Sequence, residues 1–106
     1  MGKYLIEASY TADGVNGLLK EGGSARRAAV EQLIQAAGGT VESYYFVFGD
    51  QDVIVVVDLP DNATVAAVSL AMSASGGVST AVRVLLSPEE IDAAVTKTVE
   101  YRAPGR

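Results

Sequence analysis

The sequence contains no cysteine, no histidine and no tryptophan. Without cysteine, neither a disulfide nor thiolate chemistry can form. The absence of histidine excludes more. Histidine is the commonest metal ligand and the usual general base near neutral pH. A Ser-His-Asp or Cys-His mechanism therefore cannot be assembled from these residues, nor can a histidine-ligated haem or a typical catalytic zinc site. No cofactor and no metal is expected. Basic residues are also scarce: eight Lys and Arg stand against thirteen Asp and Glu, for a formal net charge of −5. No basic run exceeds the pair Arg26–Arg27. Binding a phosphate backbone requires several clustered positive charges, so no nucleic-acid partner is expected. No apolar run approaches the ~20 residues of a membrane span. The opening Met1-Gly2-Lys3-Tyr4-Leu5-Ile6 lacks the apolar core and cleavage site of a signal peptide. The expected compartment is cytoplasmic, without a membrane partner.

What is present is a core. Apolar residues make up 49% of 106 positions, too many for a disordered chain. The length suits one domain, residues 1–106.

Period-two alternation places a strand over 3–10, with Tyr4, Ile6, Ala8 and Tyr10 on one face and Lys3, Leu5, Glu7 and Ser9 on the other. Thr11 offers a helix cap ahead of Val15, Leu18 and Leu19. Gly22-Gly23 interrupts that helix, and Ser24 reads as a second cap for a helix over Ala25–Ala37. Gly38-Gly39 ends it. A second strand is expected over Thr40–Phe48, alternating Val41, Ser43, Tyr45 and Val47 against Glu42, Tyr44, Phe46 and Phe48. A short turn at Gly49–Asp52 leads into Val53–Val57, a β-branched run that suits an interior strand. A helix from about Pro60 to Ala74 is expected to bury Val65, Val68 and Met72, with Ala66 and Leu70 nearby. A fourth strand runs from Val78 to Leu86, and Ser87-Pro88-Glu89-Glu90 starts a C-terminal helix.

The order β, α, β, β, α, β plus a C-terminal helix predicts an α+β, ferredoxin-like fold. Two right-handed βαβ units form a four-stranded antiparallel sheet with the main helices on one face. The other face is then left open and rather apolar, which marks an interaction surface. Its simplest cover is a second copy, giving a homodimer or higher homo-oligomer. The C-terminal helix could cover part of it instead.

Three sets of residues could carry function. Gly49, Asp50 and Asp52 put two acids beside a glycine, which could touch a hard cation or simply build a hairpin turn. Ser24, Arg26 and Arg27 gather at a helix start, where an anion could bind. The alternative is surface charge, including an Arg27–Glu31 pair at i, i+4. Glu7, Tyr44, Phe46 and Arg83 could line a cavity between two sheets and hold a polar aromatic or carbonyl compound. Alternatively, Glu7 and Arg83 form a cross-strand ion pair in an interface.

At the hairpin the chain resembles the GYD-domain family, named for a Gly-x-Tyr-Asp signature between its second and third strands. The matching stretch is Phe48-Gly49-Asp50-Gln51-Asp52. Gly49 and Asp52 agree, and Gln51 stands in place of the tyrosine. The opening Lys3–Thr11, Gly38-Gly39, Ser87–Asp92 and the ending Tyr101-Arg102-Ala103-Pro104-Gly105 also resemble the family. The resemblance implies a ferredoxin-like fold of the dimeric α/β-barrel group and implies no activity. The expected function is a homo-oligomeric binding or assembly module that holds a small molecule between sheets. The alternatives are a cofactor-independent enzyme acting on a small organic substrate, or an anion-sensing regulatory domain.

Overall fold

A computed structural model describes residues 1–106. Its elements are β1 (Gly2–Tyr10), α1 (Ala12–Glu21), α2 (Gly23–Ala36), β2 (Thr40–Phe46), β3 (Val53–Leu59), α3 (Asn62–Ala74), β4 (Val78–Leu85) and α4 (Pro88–Val95). The four strands form one antiparallel sheet in the order β2-β3-β1-β4. This is the α+β, ferredoxin-like architecture expected from the sequence, with the first helical segment divided in two.

One face of the sheet carries the core. Tyr4, Ile6 and Ala8 of β1 lie beside Val53, Val55, Val57 and Leu59 of β3. Ile34 of α2 and Val65 and Val68 of α3 close over them. The buried Tyr4 keeps its hydroxyl satisfied by donating to Asn62 Oδ1 at 2.6 Å, as a buried polar group requires. Val65, Val68 and Met72 form the inward stripe of α3. Leu70, expected near that stripe, is 71% exposed. It lies two positions from Val68, and residues i and i+2 do not share a helix face. Ala66 is exposed as well.

Thr11 caps α1 by accepting the Gly14 N–H. The chain breaks between α1 and α2 at Gly22, whose φ of +82° favours glycine. Ser24 does not cap α2. Gly22 holds the cap position, no side chain caps that end, and Ser24 sits inside the first turn. The helix begins earlier than expected because a single glycine suffices for the break. The full capping box expected at Ser87 is present: Glu90 N–H donates to Ser87 Oγ and Ser87 N–H to Glu90 Oε1.

β2 stops at Phe46, two residues short of the expected end. There the Val47 N–H turns to the Asp52 carbonyl at 2.9 Å. β2 also contains a bulge between Val41 and Ser43. The bulge adds one residue and reverses which face the following side chains take.

The opposite face of the sheet is uncovered. It presents Leu5, Ile54, Val56, Tyr45 and Leu85, flanked by Lys3, Glu7, Glu42, Asp58 and Arg83. The C-terminal helix does not cover it, since every residue from Pro88 to Arg102 is exposed. The radius of gyration is 16.8 Å, against about 13 Å for a compact chain of this length. No helix is long and apolar enough to cross a membrane.

Candidate functional site

A cavity of about 410 Å³ opens between the helices and the sheet. Its floor is the helix-facing side of β1 and β3, including Ile6, Ala8, Val53 and Val55. Val30 and Leu33 of α2 and Met72 of α3 form apolar walls. Four large polar side chains, Tyr10, Glu21, Arg26 and Tyr44, and the smaller Ser75 also line it.

Each of the four is delivered by an identifiable local feature. Tyr10 is the last residue of β1 and keeps the inward face set by Tyr4, Ile6 and Ala8. Tyr44 faces inward because of the β2 bulge, which sets it opposite Val55. Glu21 ends α1 and Arg26 lies in the first turns of α2, so the Gly22 break brings them together across the junction. Arg26 Nε lies 3.0 Å from Glu21 Oε1. The approach is off the N–H direction, so this buried N–H has no hydrogen-bond partner.

The phenols of Tyr10 and Tyr44 are neighbours and perturb each other. Burial pushes the Tyr44 hydroxyl well above the ordinary tyrosine value, and proximity to Tyr10 adds to this. Burial also raises Tyr10, partly offset by Tyr44 and Arg26. Both remain protonated at neutral pH and can donate hydrogen bonds. The site is therefore a largely apolar chamber with two hydroxyls and the Arg26–Glu21 ion pair near one end. An acceptor oxygen on an otherwise apolar molecule matches it.

The residues singled out from the sequence divide between this cavity and other places. The set Glu7, Tyr44, Phe46 and Arg83 does not assemble. Glu7 and Arg83 lie on the open face, where Arg83 Nε donates to Glu7 Oε1 at 2.8 Å. The hydrogen bond that Arg83 donates to Glu7, with the attraction of that carboxylate, raises the Arg83 pKa. Tyr44 and Phe46 lie on the helix face, in edge-to-face contact with ring centroids 5.5 Å apart. Strict alternation also separates the two pairs only if the strand-two register is known, and the bulge sets that register.

The set Ser24, Arg26 and Arg27 divides too. Arg26 turns to the cavity. Arg27 pairs with Glu31 at 3.4 Å on the surface, the expected i, i+4 contact. Ser24 and Arg27 border a separate depression with Gly23, Tyr44 and Phe46. Tyr10 and Glu21 stand outside all three sets. Their signal was weak but present, since Tyr10 falls on the inward face of β1 and Glu21 abuts the glycine break before Arg26.

The turn Gly49–Asp52 latches onto the end of β1. Asp52 Oδ2 accepts the Tyr10 N–H at 2.8 Å, and the Asp52 N–H donates to the Ala8 carbonyl at 2.8 Å. Ser9 Oγ lies 3.1 Å from both the Asp50 carbonyl and Gln51 Oε1. Gly49 has a φ of +153°. No group of three Asp, Glu, His or Cys side chains converges anywhere in the chain.

Comparison with curated proteins and with solved structures finds no significant match. The model of one family, the GYD domain, matches residues 4–95 and so spans the sheet, the cavity and the signature turn. The chain belongs to the GYD domain family.

Proposed function

We propose that the protein is a homo-oligomeric binding module that holds a small, largely apolar molecule with one oxygen-bearing end. The convergence of Tyr10, Tyr44 and the Arg26–Glu21 pair on a largely apolar cavity carries this reading. The volume falls within the range of small-molecule sites, roughly 300–1,000 Å³. The ligand sits between helices and sheet, not between two sheets, because the polar groups converge there. A carbonyl or carboxylate oxygen would accept from the two hydroxyls, and the apolar body would lie along Ile6, Val53, Val55 and Leu33.

The second copy covers the open sheet face. That face is apolar along Leu5, Ile54, Val56 and Leu85 and carries both signs of charge at its margins, so it suits a two-fold related copy of itself. The chain's own C-terminal helix leaves it free.

Anilinonaphthalene sulfonate, an aromatic body with one anionic group, tests the cavity. Titration should give one saturable site per subunit. Arg26→Met should weaken binding, and Ala29→Phe, which fills the cavity, should abolish it. Leu5→Glu on the open face should leave the affinity unchanged. Binding that survives Ala29→Phe and disappears with Leu5→Glu would place the dye on the sheet face and overturn the reading.

A further inference from the structure

Asp52, a signature residue outside the cavity lining, makes three backbone connections. Its N–H donates to the Ala8 carbonyl, its carbonyl accepts from Val47, and its carboxylate accepts from the Tyr10 N–H. The three bonds join the end of β1 to the end of β2 and the start of β3. The paired register of β1 with β3 ends at Ala8 and Val53. Beyond that point the Asp52 side chain supplies the acceptor that a further strand residue would have provided.

Tyr10 is thereby held from both sides. On the β4 side it pairs with Val78. The next residue, Thr11, donates its N–H to the Gly77 carbonyl at 3.0 Å and its hydroxyl to the Gly76 carbonyl at 2.8 Å. The β4 side alone would hold the backbone by one edge. A residue at the end of a strand frays unless its amide is occupied.

We propose that Asp52 is a positioning residue for the cavity: through the Tyr10 N–H it fixes the strand end from which the Tyr10 phenol reaches the ligand. The proposal rests on the binding reading above and assigns the family's aspartate a role that needs no contact with ligand. Gly49 serves the same device, since its backbone conformation lets the turn fold back far enough for Asp52 to reach. Gln51, at the position of the missing tyrosine, adds a contact to Ser9 next door.

The test compares Asp52→Ala with Asp52→Asn, which keeps an acceptor oxygen at the same reach. Tyrosine ring-labelled protein is followed by NMR, and anilinonaphthalene sulfonate is titrated in parallel. Asp52→Ala should shift the Tyr10 ring resonances, leave those of Tyr101 in place, and weaken the dye by about fivefold, the scale of one net hydrogen bond. Asp52→Asn should restore both. If the alanine chain fails to fold, Asp52→Ser, polar but too short to reach the amide, should give the same shift. Unmoved Tyr10 resonances and unchanged affinity in Asp52→Ala or Asp52→Ser would overturn the proposal. If wild-type protein binds no dye, the binding reading falls, while the ring resonances still decide whether Asp52 positions Tyr10.

Discussion

Val41 and Tyr44 project from the same face of the sheet, Val41 opposite Val57 and Tyr44 opposite Val55. Simple alternation would put them on opposite faces, since an odd step separates them. The bulge at this point absorbs one residue and sends Tyr44 under the helices, beside Tyr10.

That placement has a consequence in alkali. Burial raises both phenols above the ordinary 10.0, Tyr44 by more. The folded state therefore favours their protonated forms. The stability they contribute is fully present below the unfolded value near pH 10.0 and is lost as pH rises from there through the folded values. Tyrosinate absorbance should show Tyr10 and Tyr44 ionising above the ordinary value, and unfolding should intervene as they do. Tyr44→Phe should remove the later step and flatten the fall in stability above pH 10.0. Retention of both late steps in Tyr44→Phe would contradict the assignment.

Most of the fold was legible because its signals are local. Period two marked β1, the β-branched run marked β3, and Ser87 with Pro88 and Glu90 marked the start of α4. The cavity was only half legible. Arg26 and Tyr44 fall in separate candidate sets, because their meeting depends on two events that sequence periodicity does not show. One is the bulge in β2; the other is the fold-back of α2 on α1 at Gly22. The grouping of Tyr44 with Glu7 failed for the same reason. Strand parity is reliable only as far as the next bulge.

Ile34 is the single α2 residue with no exposed surface, and it packs on the β1–β3 face. Ile34→Ala should lower the free energy of unfolding by about 2–5 kcal/mol, the lost transfer energy plus the cavity left behind. Leu33→Ala, at a half-buried site beside the cavity, should cost less. Urea denaturation of the two variants measures the difference, and equal costs would mean that the helix seats differently on the sheet.

Gly39 enters β2 against the β3 backbone. A Cβ there would collide with the Asp58 carbonyl and with the Leu59 side chain. Backbone cannot move aside as a flexible side chain can, so Gly39→Ala should destabilise by roughly 1–3 kcal/mol or more. Gly17 is the control, because a Cβ there meets nothing and it lies within α1. Gly17→Ala should stabilise by about 0.5–1 kcal/mol through helix propensity alone. Thermal unfolding should move in opposite directions for the two substitutions.

Leu5 sits at the centre of the open face, between Val56 of β3 and Arg83 of β4, and contributes nothing to the core beneath the helices. A charge there leaves the protomer's own packing intact but must be desolvated if a second sheet covers it. Burying an unpaired carboxylate is costly enough to break an association. Native mass spectrometry should find the wild-type chain as a multimer and Leu5→Glu shifted toward monomer, with circular dichroism unchanged. Arg83→Glu would add a second test, because it also breaks the ion pair with Glu7 and sets two acids side by side in its place. A wild-type monomer would show that the open face is not an interface between copies. A multimer that persists through both substitutions would move the contact elsewhere, to the exposed apolar residues Ile91, Val95 and Val99 of the C-terminal segment.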